Sequence, residues 1–134
     1  MHAAKLTLVP EFGAVEPTRG QGQALTKLVA PGRIVELCGE AQTTTAVMLL
    51  AELQREGETA AWIQPARGDL FPPDLAAAGV DVEALIVVHT PEHAQASMAG
   101  PHGQCRAAEL LLRSGGFGLV ILDFGRAEPR GASA

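Results

Sequence analysis

The chain has 134 residues, and its apolar content of 47% is typical of one domain with one hydrophobic core and excludes an intrinsically disordered protein. Ten basic and fifteen acidic residues give a formal net charge of −5, so the chain lacks the positive charge that holds a nucleic-acid backbone. Two cysteines are too few for a disulfide-stapled secreted fold, and we find neither a signal peptide nor an apolar run of the roughly 18 residues that a membrane span needs, so we expect a cytoplasmic protein.

Residues 1–31 are predicted to form an arm or linker ahead of the folded core. Lys5–Val9 alternates polar and apolar residues as a short strand does, and the prolines and glycines after it interrupt regular structure. Leu25–Val29 is predicted to form a helical turn. The apolar side chains of the arm are candidate contacts for a partner protein, and they are Leu6, Leu8 and Phe12.

Four buried strands are predicted within the core, residues 32–124. They are short aliphatic runs bounded by glycine or proline, and they span Arg33–Cys38, Thr59–Ile63, Ala84–Val88 and Phe117–Phe124. The β-branched run Ala84–Val88 is of the kind that a parallel sheet buries on both faces. Cys38 ends the first strand, where a free cysteine is commonly a small core residue.

Helices are predicted between these strands, at about Thr43–Arg55 and Asp74–Ala78. A third helix is predicted to begin at Thr90-Pro91, to be interrupted at Gly100-Pro101 and to resume over Gln104–Arg113. Residues 125–134 are predicted to be a disordered tail. The alternation predicts a three-layer α/β fold with a mostly parallel sheet, whose strands end at the edge where ligands bind.

Several segments of the core resemble the ATPase core of the RecA recombinase family over about residues 16–124, namely Gly32–Gly39, Leu53–Gly57, Ala78–Leu85 and Leu112–Gly115. Trp62–Pro65 and Leu70–Gly79 are similar to the ImuA and SulA branch of that superfamily, whose members are thought to act by binding proteins. The resemblance implies a RecA-like fold.

Similarity to ImuA further implies an adaptor in the bacterial SOS response, acting in translesion mutagenesis after DNA damage. Its partners would be the RecA recombinase and the polymerase-like ImuB-type protein of the same cassette. Similarity to SulA implies the alternative of an inhibitor of the tubulin-like cell-division protein.

The phosphate-binding loop that the resemblance implies is degenerate here. Such a loop places five residues between its first glycine and its lysine, so that backbone amides surround a phosphate. With the helix held in register, Gln42 stands at the lysine position and the loop after Gly39 is about three residues short, while Glu40 adds negative charge. Thr43 and Thr44 could offer a hydroxyl to magnesium, but both are ordinary helix-capping residues. We therefore expect no cofactor and no enzymatic activity; an ATPase with an atypical loop is the alternative.

Two further positions bear on ATP chemistry. The resemblance aligns Ala66 with the catalytic glutamate of RecA-type enzymes, and a methyl group cannot orient the attacking water. Asp123 is similar to the Walker B aspartate that holds magnesium, although a carboxylate at the end of a buried strand can equally cap the following turn. Both positions agree with a pseudo-ATPase.

A zinc site is not expected from the nearby histidines and cysteine, which are His89, His93, His102 and Cys105. Pro91 separates the first two, so they do not share one helix face, and we expect histidines that face solvent. Leu70 and Phe71, beside Pro72-Pro73, form a candidate apolar contact for a partner, unless Phe71 folds back over the edge of the sheet.

The resemblance also implies a missing strand. In RecA-like cores a further strand follows the Walker B strand and lies between it and the P-loop strand, whereas this sequence ends soon after Phe124. An uncovered pair of strand edges is an aggregation hazard. We expect Lys5–Val9 to fill the gap or pair with a neighbouring subunit, or the chain to be a piece of a longer protein; either way self-association, as in a homodimer, or a bound partner follows.

Overall fold

A computed structural model describes residues 25–27, 29–92 and 99–125. After a helical turn at residues 25–26, which the sequence predicts, helices and strands alternate along the described chain. They are α1 Gln42–Arg55, β1 Ala60–Pro65, α2 Pro72–Ala77, β2 Leu85–Thr90, α3 Gly100–Arg113 and β3 Leu119–Leu122.

The described strands form a parallel sheet in the order β2-β1-β3. Along β1, Ala60 pairs with Leu85 on one side and with Leu119 on the other, so the central strand is in register with both neighbours. Helices connect successive strands, as parallel pairing requires. The predicted α/β fold with a parallel sheet is confirmed.

The core has two parts, one on each face of the sheet. On one face Leu50 and Leu53 of α1 pack with Trp62 and Leu119. On the other face Ala107 and Ala108 of α3 pack with Ile63 and Val120. Because neighbouring residues of a strand point to opposite faces, Trp62 packs on the side of α1 and Ile63 packs on the side of α3. The result is three layers, with α1 and α3 on opposite sides of the sheet.

Helix α1 forms where the sequence predicts it, because an apolar stripe faces the sheet while the other side is polar. It ends in a Schellman motif around Gly57, whose φ is +89°. The Gly57 amide donates to the Gln54 carbonyl at 3.0 Å, and the Glu58 amide donates to the Leu53 carbonyl at 3.0 Å. Glycine adopts this left-handed conformation at little cost, so Gly57 stops the helix.

The prediction that Arg33–Cys38 forms a strand of this sheet is wrong. Val35 makes a single β-bridge and the neighbouring residues have no regular structure. Ile34 is 79% exposed and Cys38 is also exposed, so Cys38 is not the core residue that we expected. None of the described strands pairs with this segment, since β1 lies between β2 and β3.

Strand β2 occupies an edge of the described sheet, contrary to the expected burial on both faces. Ile86 is 48% and Val87 is 38% exposed. The apolar composition of the segment is that of an inner strand, but only the strand order decides how many faces are covered.

Helix α3 begins at Gly100, earlier than the predicted restart at Gln104, with Pro101 in its first turn, where no amide donor is needed. Its buried face contains Gly103, Gln104, Ala107 and Ala108, whereas Cys105 is exposed. Pro91 and Glu92 are not helical, so the predicted helix start at Thr90-Pro91 is wrong: Thr90 is the last residue of β2.

The remaining predictions for the arm and the tail lie outside the described residues. These include the strand Lys5–Val9, the candidate contacts Leu6, Leu8 and Phe12, and residues 126–134. None of the helices within the described ranges combines the length and the apolar character that crossing a membrane requires.

Candidate functional site

A tight turn at residues 39–41 leads into α1. Gly39 has a φ of +113°, and the Gln42 amide donates to the Gly39 carbonyl at 3.4 Å. Ala41 is the N-cap residue and makes no side-chain capping bond, so Thr43 and Thr44 lie inside the first turn and are not the caps that we expected. The first turn contains no acidic residue, but exposed Glu40 directly precedes it. A negative charge there opposes the attraction of the helix N-terminus for anions.

Beside this turn runs a groove of about 600 Å³. One wall is the segment 34–39 and the other is formed by Leu119–Gly125, while Ala46, Leu49 and Trp62 also line it. Its size is that of a small-molecule or peptide cleft. Hereafter we call this space the β3 groove.

The structure brings most of the predicted loop residues to the β3 groove. Gly39, Gln42, Thr43 and Asp123 all line it. Thr44 instead lines a neighbouring cleft of about 270 Å³, together with Leu70 and Phe71. The turn before α1 and the end of β3 therefore face one space.

Asp123 is held at several atoms. Its amide donates to the Ile63 carbonyl at 2.8 Å, and its own carbonyl accepts a hydrogen bond from Gln104 Nε2 at 2.6 Å. The carboxylate oxygen Oδ1 accepts a hydrogen bond from the Gly125 amide at 2.9 Å. The carboxylate thus stabilises the turn after β3, which is the structural role that we considered beside magnesium binding.

Sequence reasoning missed Gln104, which joins α3 to the end of β3. Its side chain is 1% exposed, and it shares the buried stripe of α3 with Ala107 and Ala108. A polar residue among the apolar residues on the buried face of a helix indicates a specific hydrogen bond, because a buried amide needs a hydrogen-bond partner. This signal could have identified Gln104 from the sequence. Here the partner is a backbone carbonyl at the lip of the β3 groove.

A second polar cluster lies where β1 and β2 end. The side chain of Gln64 is 2% exposed, and its Nε2 lies 2.8 Å from His89 Nε2. The amide donates to the imidazole when the ring proton is on Nδ1. Gly68 leaves room for this amide, because a Cβ at Gly68 would overlap the Gln64 side chain. Ala66, which the sequence resemblance aligns with a catalytic glutamate, is exposed, and its amide donates to the Thr90 carbonyl at 3.0 Å.

The histidines and cysteines do not come together. His89 and His102 are both exposed, and His93 is outside the described residues. Across the described ranges no three His, Cys, Asp or Glu side chains are close enough to hold a metal ion.

The apolar pair before α2 is divided between core and surface. Leu70 is half-buried against the core, whereas Phe71 is 58% exposed. Phe71 therefore does not fold back over the edge of the sheet. With Thr43 and Thr44 it lines the smaller cleft, whereas Phe124, which is 50% exposed, lines the β3 groove.

No model of a known protein family matches the chain. It is 36% identical over 98 residues to the protein RecA of Clostridium acetobutylicum, a match that covers 71% of this chain and 26% of that protein. It is 35% identical over 95 residues to the protein RecA of Francisella tularensis subsp. novicida, covering 69% of this chain and 24% of that protein. The chain thus spans about a quarter of the length of the curated relatives it matches. Together with the parallel α/β fold, these partial matches support a RecA-like relationship.

Proposed function

Starting from this RecA-like relationship, we propose that the chain is a non-catalytic adaptor that binds other proteins in DNA-damage-induced translesion mutagenesis. The observation that carries the proposal is the start of α1 at Gln42, three residues after Gly39. A P-loop needs a longer connection, in which successive amides and a lysine surround the phosphates. Here the connection is a single tight turn.

The groups around the turn add to this argument. Glu40 brings a negative charge next to the site where a triphosphate would sit, and Gln42 cannot replace the charge of a lysine. Ala66 cannot act as the base that activates water. The fold therefore supplies a scaffold, while two of the groups on which ATP hydrolysis depends, the loop lysine and the catalytic glutamate, are replaced by Gln42 and Ala66.

Protein binding is supported by exposed apolar residues near the same turn. Phe71 is 58% exposed beside a cleft, and exposed aromatic residues are enriched among those that anchor protein interfaces. Leu6, Leu8 and Phe12 of the arm are further candidates on sequence grounds. The partners that we propose are the RecA recombinase and the polymerase-like ImuB-type protein.

Titration calorimetry with each purified partner tests the proposal. We expect binding by the full chain and weaker binding by Phe71→Ala. The matched control is Leu110→Ala, because Leu110 is also an exposed apolar residue, at 52%, but lies on α3 and lines neither cleft. A folded chain that binds neither partner contradicts the adaptor function, whereas equal losses in the two variants contradict only the role of Phe71.

One observation favours a second candidate, an ATPase with an atypical loop. Thr43 and Asp123 line the same groove, where they could face a magnesium–nucleotide complex. A nucleotide that binds the folded state at a hundred times its Kd stabilises it by about 2.7 kcal/mol, which raises the unfolding temperature. We expect no such rise in saturating ATP and magnesium; a rise that Asp123→Asn abolishes would favour the ATPase instead.

A further inference from the structure

The outer edge of β3 presents backbone donors to the β3 groove. The amides of Leu119 and Asp123 donate to Thr59 and Ile63 in the chain leading into and along β1, at 3.2 and 2.8 Å. Because successive amides of a strand point to opposite sides, those of Val120 and Leu122 point away from β1. No strand among the described residues lies on that side. Two backbone donors at the edge of the sheet therefore face the groove.

The walls of the groove fit an extended segment. Strand β3, Leu119–Leu122, offers about 13 Å of extended edge at roughly 3.3 Å per residue, and residues 123–125 continue the lining beyond it. The opposite wall is the segment 34–39, which also lacks a place in the sheet. A five-residue strand, about 17 Å long, covers this edge and extends about one residue beyond it.

We propose that Lys5–Val9 of this chain docks in the β3 groove as a fourth strand, hydrogen-bonded to the edge of β3. The segment alternates Lys5, Thr7 and Val9 with Leu6 and Leu8, so one of its faces is wholly apolar, as a strand lying over a core requires. Residues 10–24 connect it to the described structure. Fifteen residues reach up to about 50 Å, which exceeds the width of a domain of this size.

Charge complements this assignment. The residues that line the groove include the acidic Glu36 and Asp123 and, among the described residues, no lysine or arginine. Lys5–Val9 carries one lysine and no acidic residue. The apolar part of the lining, including Ile34, Leu37 and Trp62, matches the two leucines of the segment.

An unpaired donor supports the docking independently. Trp62 is 1% exposed, lines the groove, and its Nε1 has no hydrogen-bond partner among the described residues. Buried indole donors normally find an acceptor. The docked segment brings backbone carbonyls and the Thr7 hydroxyl into the groove, and either kind of oxygen can accept this hydrogen bond.

Hydrogen exchange of single amides, measured by NMR on the full chain, tests the proposal. In the wild type we expect Val120 and Leu122 to be protected as strongly as Leu119 and Ile121, whose amides face β1. In the double variant Leu6→Asp/Leu8→Asp the amides of Val120 and Leu122 should lose protection, while those of Leu119 and Ile121 keep theirs. The second pair of amides is thus an internal control for folding.

The matched control variant is Thr18→Asp/Gln21→Asp, which adds the same charge within the linker and should leave all four amides unchanged. A synthetic peptide of residues 1–11 should restore the lost protection when added to the double leucine variant, and a peptide of the same composition in scrambled order should not. Sedimentation of the wild type should show that the protected form is a monomer.

Thiol reactivity gives a second measurement. Cys38 lines the groove, whereas Cys105 is exposed on α3 and does not. With Lys5–Val9 docked, Cys38 should react more slowly with a thiol reagent than in the double leucine variant, and Cys105 should react at the same rate in both.

Three results would overturn the proposal. If the amides of Val120 and Leu122 exchange freely in the wild type, the edge of β3 is open. If their protection survives in the double leucine variant, another segment covers the edge. Protection that appears only in a dimer would assign the groove to a second copy of the chain. These results do not affect the calorimetric test of Phe71, so the adaptor function is tested separately. Docking of Lys5–Val9 would, however, place Leu6 and Leu8 against this chain's own groove and remove them from the candidate partner contacts.

Discussion

Replacing Gln104 by methionine should destabilise the fold, although the two side chains have similar size and flexibility. Gln104 is 1% exposed, and its Nε2 donates to the Asp123 carbonyl at 2.6 Å. Methionine fills the same space on α3 but has no donor, so the carbonyl loses this partner. A partly buried acceptor left without its partner costs about 1–3 kcal/mol, and we expect the free energy of unfolding to fall by that amount.

Urea unfolding followed by the fluorescence of Trp62 measures this change. Trp62 is the single tryptophan of the chain and is 1% exposed, so its emission reports the loss of the core. The control is Leu110→Ala on the exposed side of the same helix, which should change the free energy of unfolding by less than about 0.5 kcal/mol. If Gln104→Met proves as stable as the wild type, the hydrogen bond between α3 and the end of β3 does not contribute to stability and our reasoning about the buried amide is refuted.

Three other substitutions should lower stability in the same urea assay, each for a different reason. Leu50→Ala leaves a cavity at a fully buried position of α1 and should cost about 2–5 kcal/mol; a loss below about 1 kcal/mol would mean that the core collapses around it. Gly57→Ala forces a φ of +89° on a residue with a Cβ and should lower the free energy of unfolding by about 1–2 kcal/mol. An unchanged urea midpoint would contradict this prediction. Gly68→Ala places a Cβ on the Gln64 side chain and should be destabilising, whereas the double variant Gly68→Ala/Gln64→Ala should recover part of the loss; failure to recover would exclude this overlap as the cause.

Local sequence patterns were enough to locate the paired strands and α1. The apolar runs at β1, β2 and β3 and the apolar stripe of α1 are patterns among residues close together in sequence. The spacing of apolar residues therefore predicts these elements without knowledge of the fold. The stop at Gly57 was equally local, because a glycine after the last turn adopts the left-handed conformation that closes a helix.

The candidate site was predictable only in part. Gly39, Gln42, Thr43 and Asp123 line one groove, but only Asp123 follows a strand of the described sheet, so the rule that parallel strands end at one edge accounts for Asp123 alone. Thr44 lines the neighbouring cleft instead, because it is one residue further around the helix and therefore faces another direction. The bond from Gln104 to Asp123 was not predictable from spacing, since it joins residues whose proximity depends on how α3 crosses the sheet.

The amino-acid sequence by itself determined which segments could become strands and helices, and it placed only two residues between Gly39 and Gln42. Only the tertiary structure decided which strand lies inside the sheet and which lies at its edge: β2 exposes Ile86 and Val87, and Arg33–Cys38 stays outside the sheet although its composition is that of a buried strand. The physical reason is that secondary structure follows from interactions between near neighbours, whereas burial and strand pairing depend on which distant segment supplies the covering side chains and the hydrogen-bond partners.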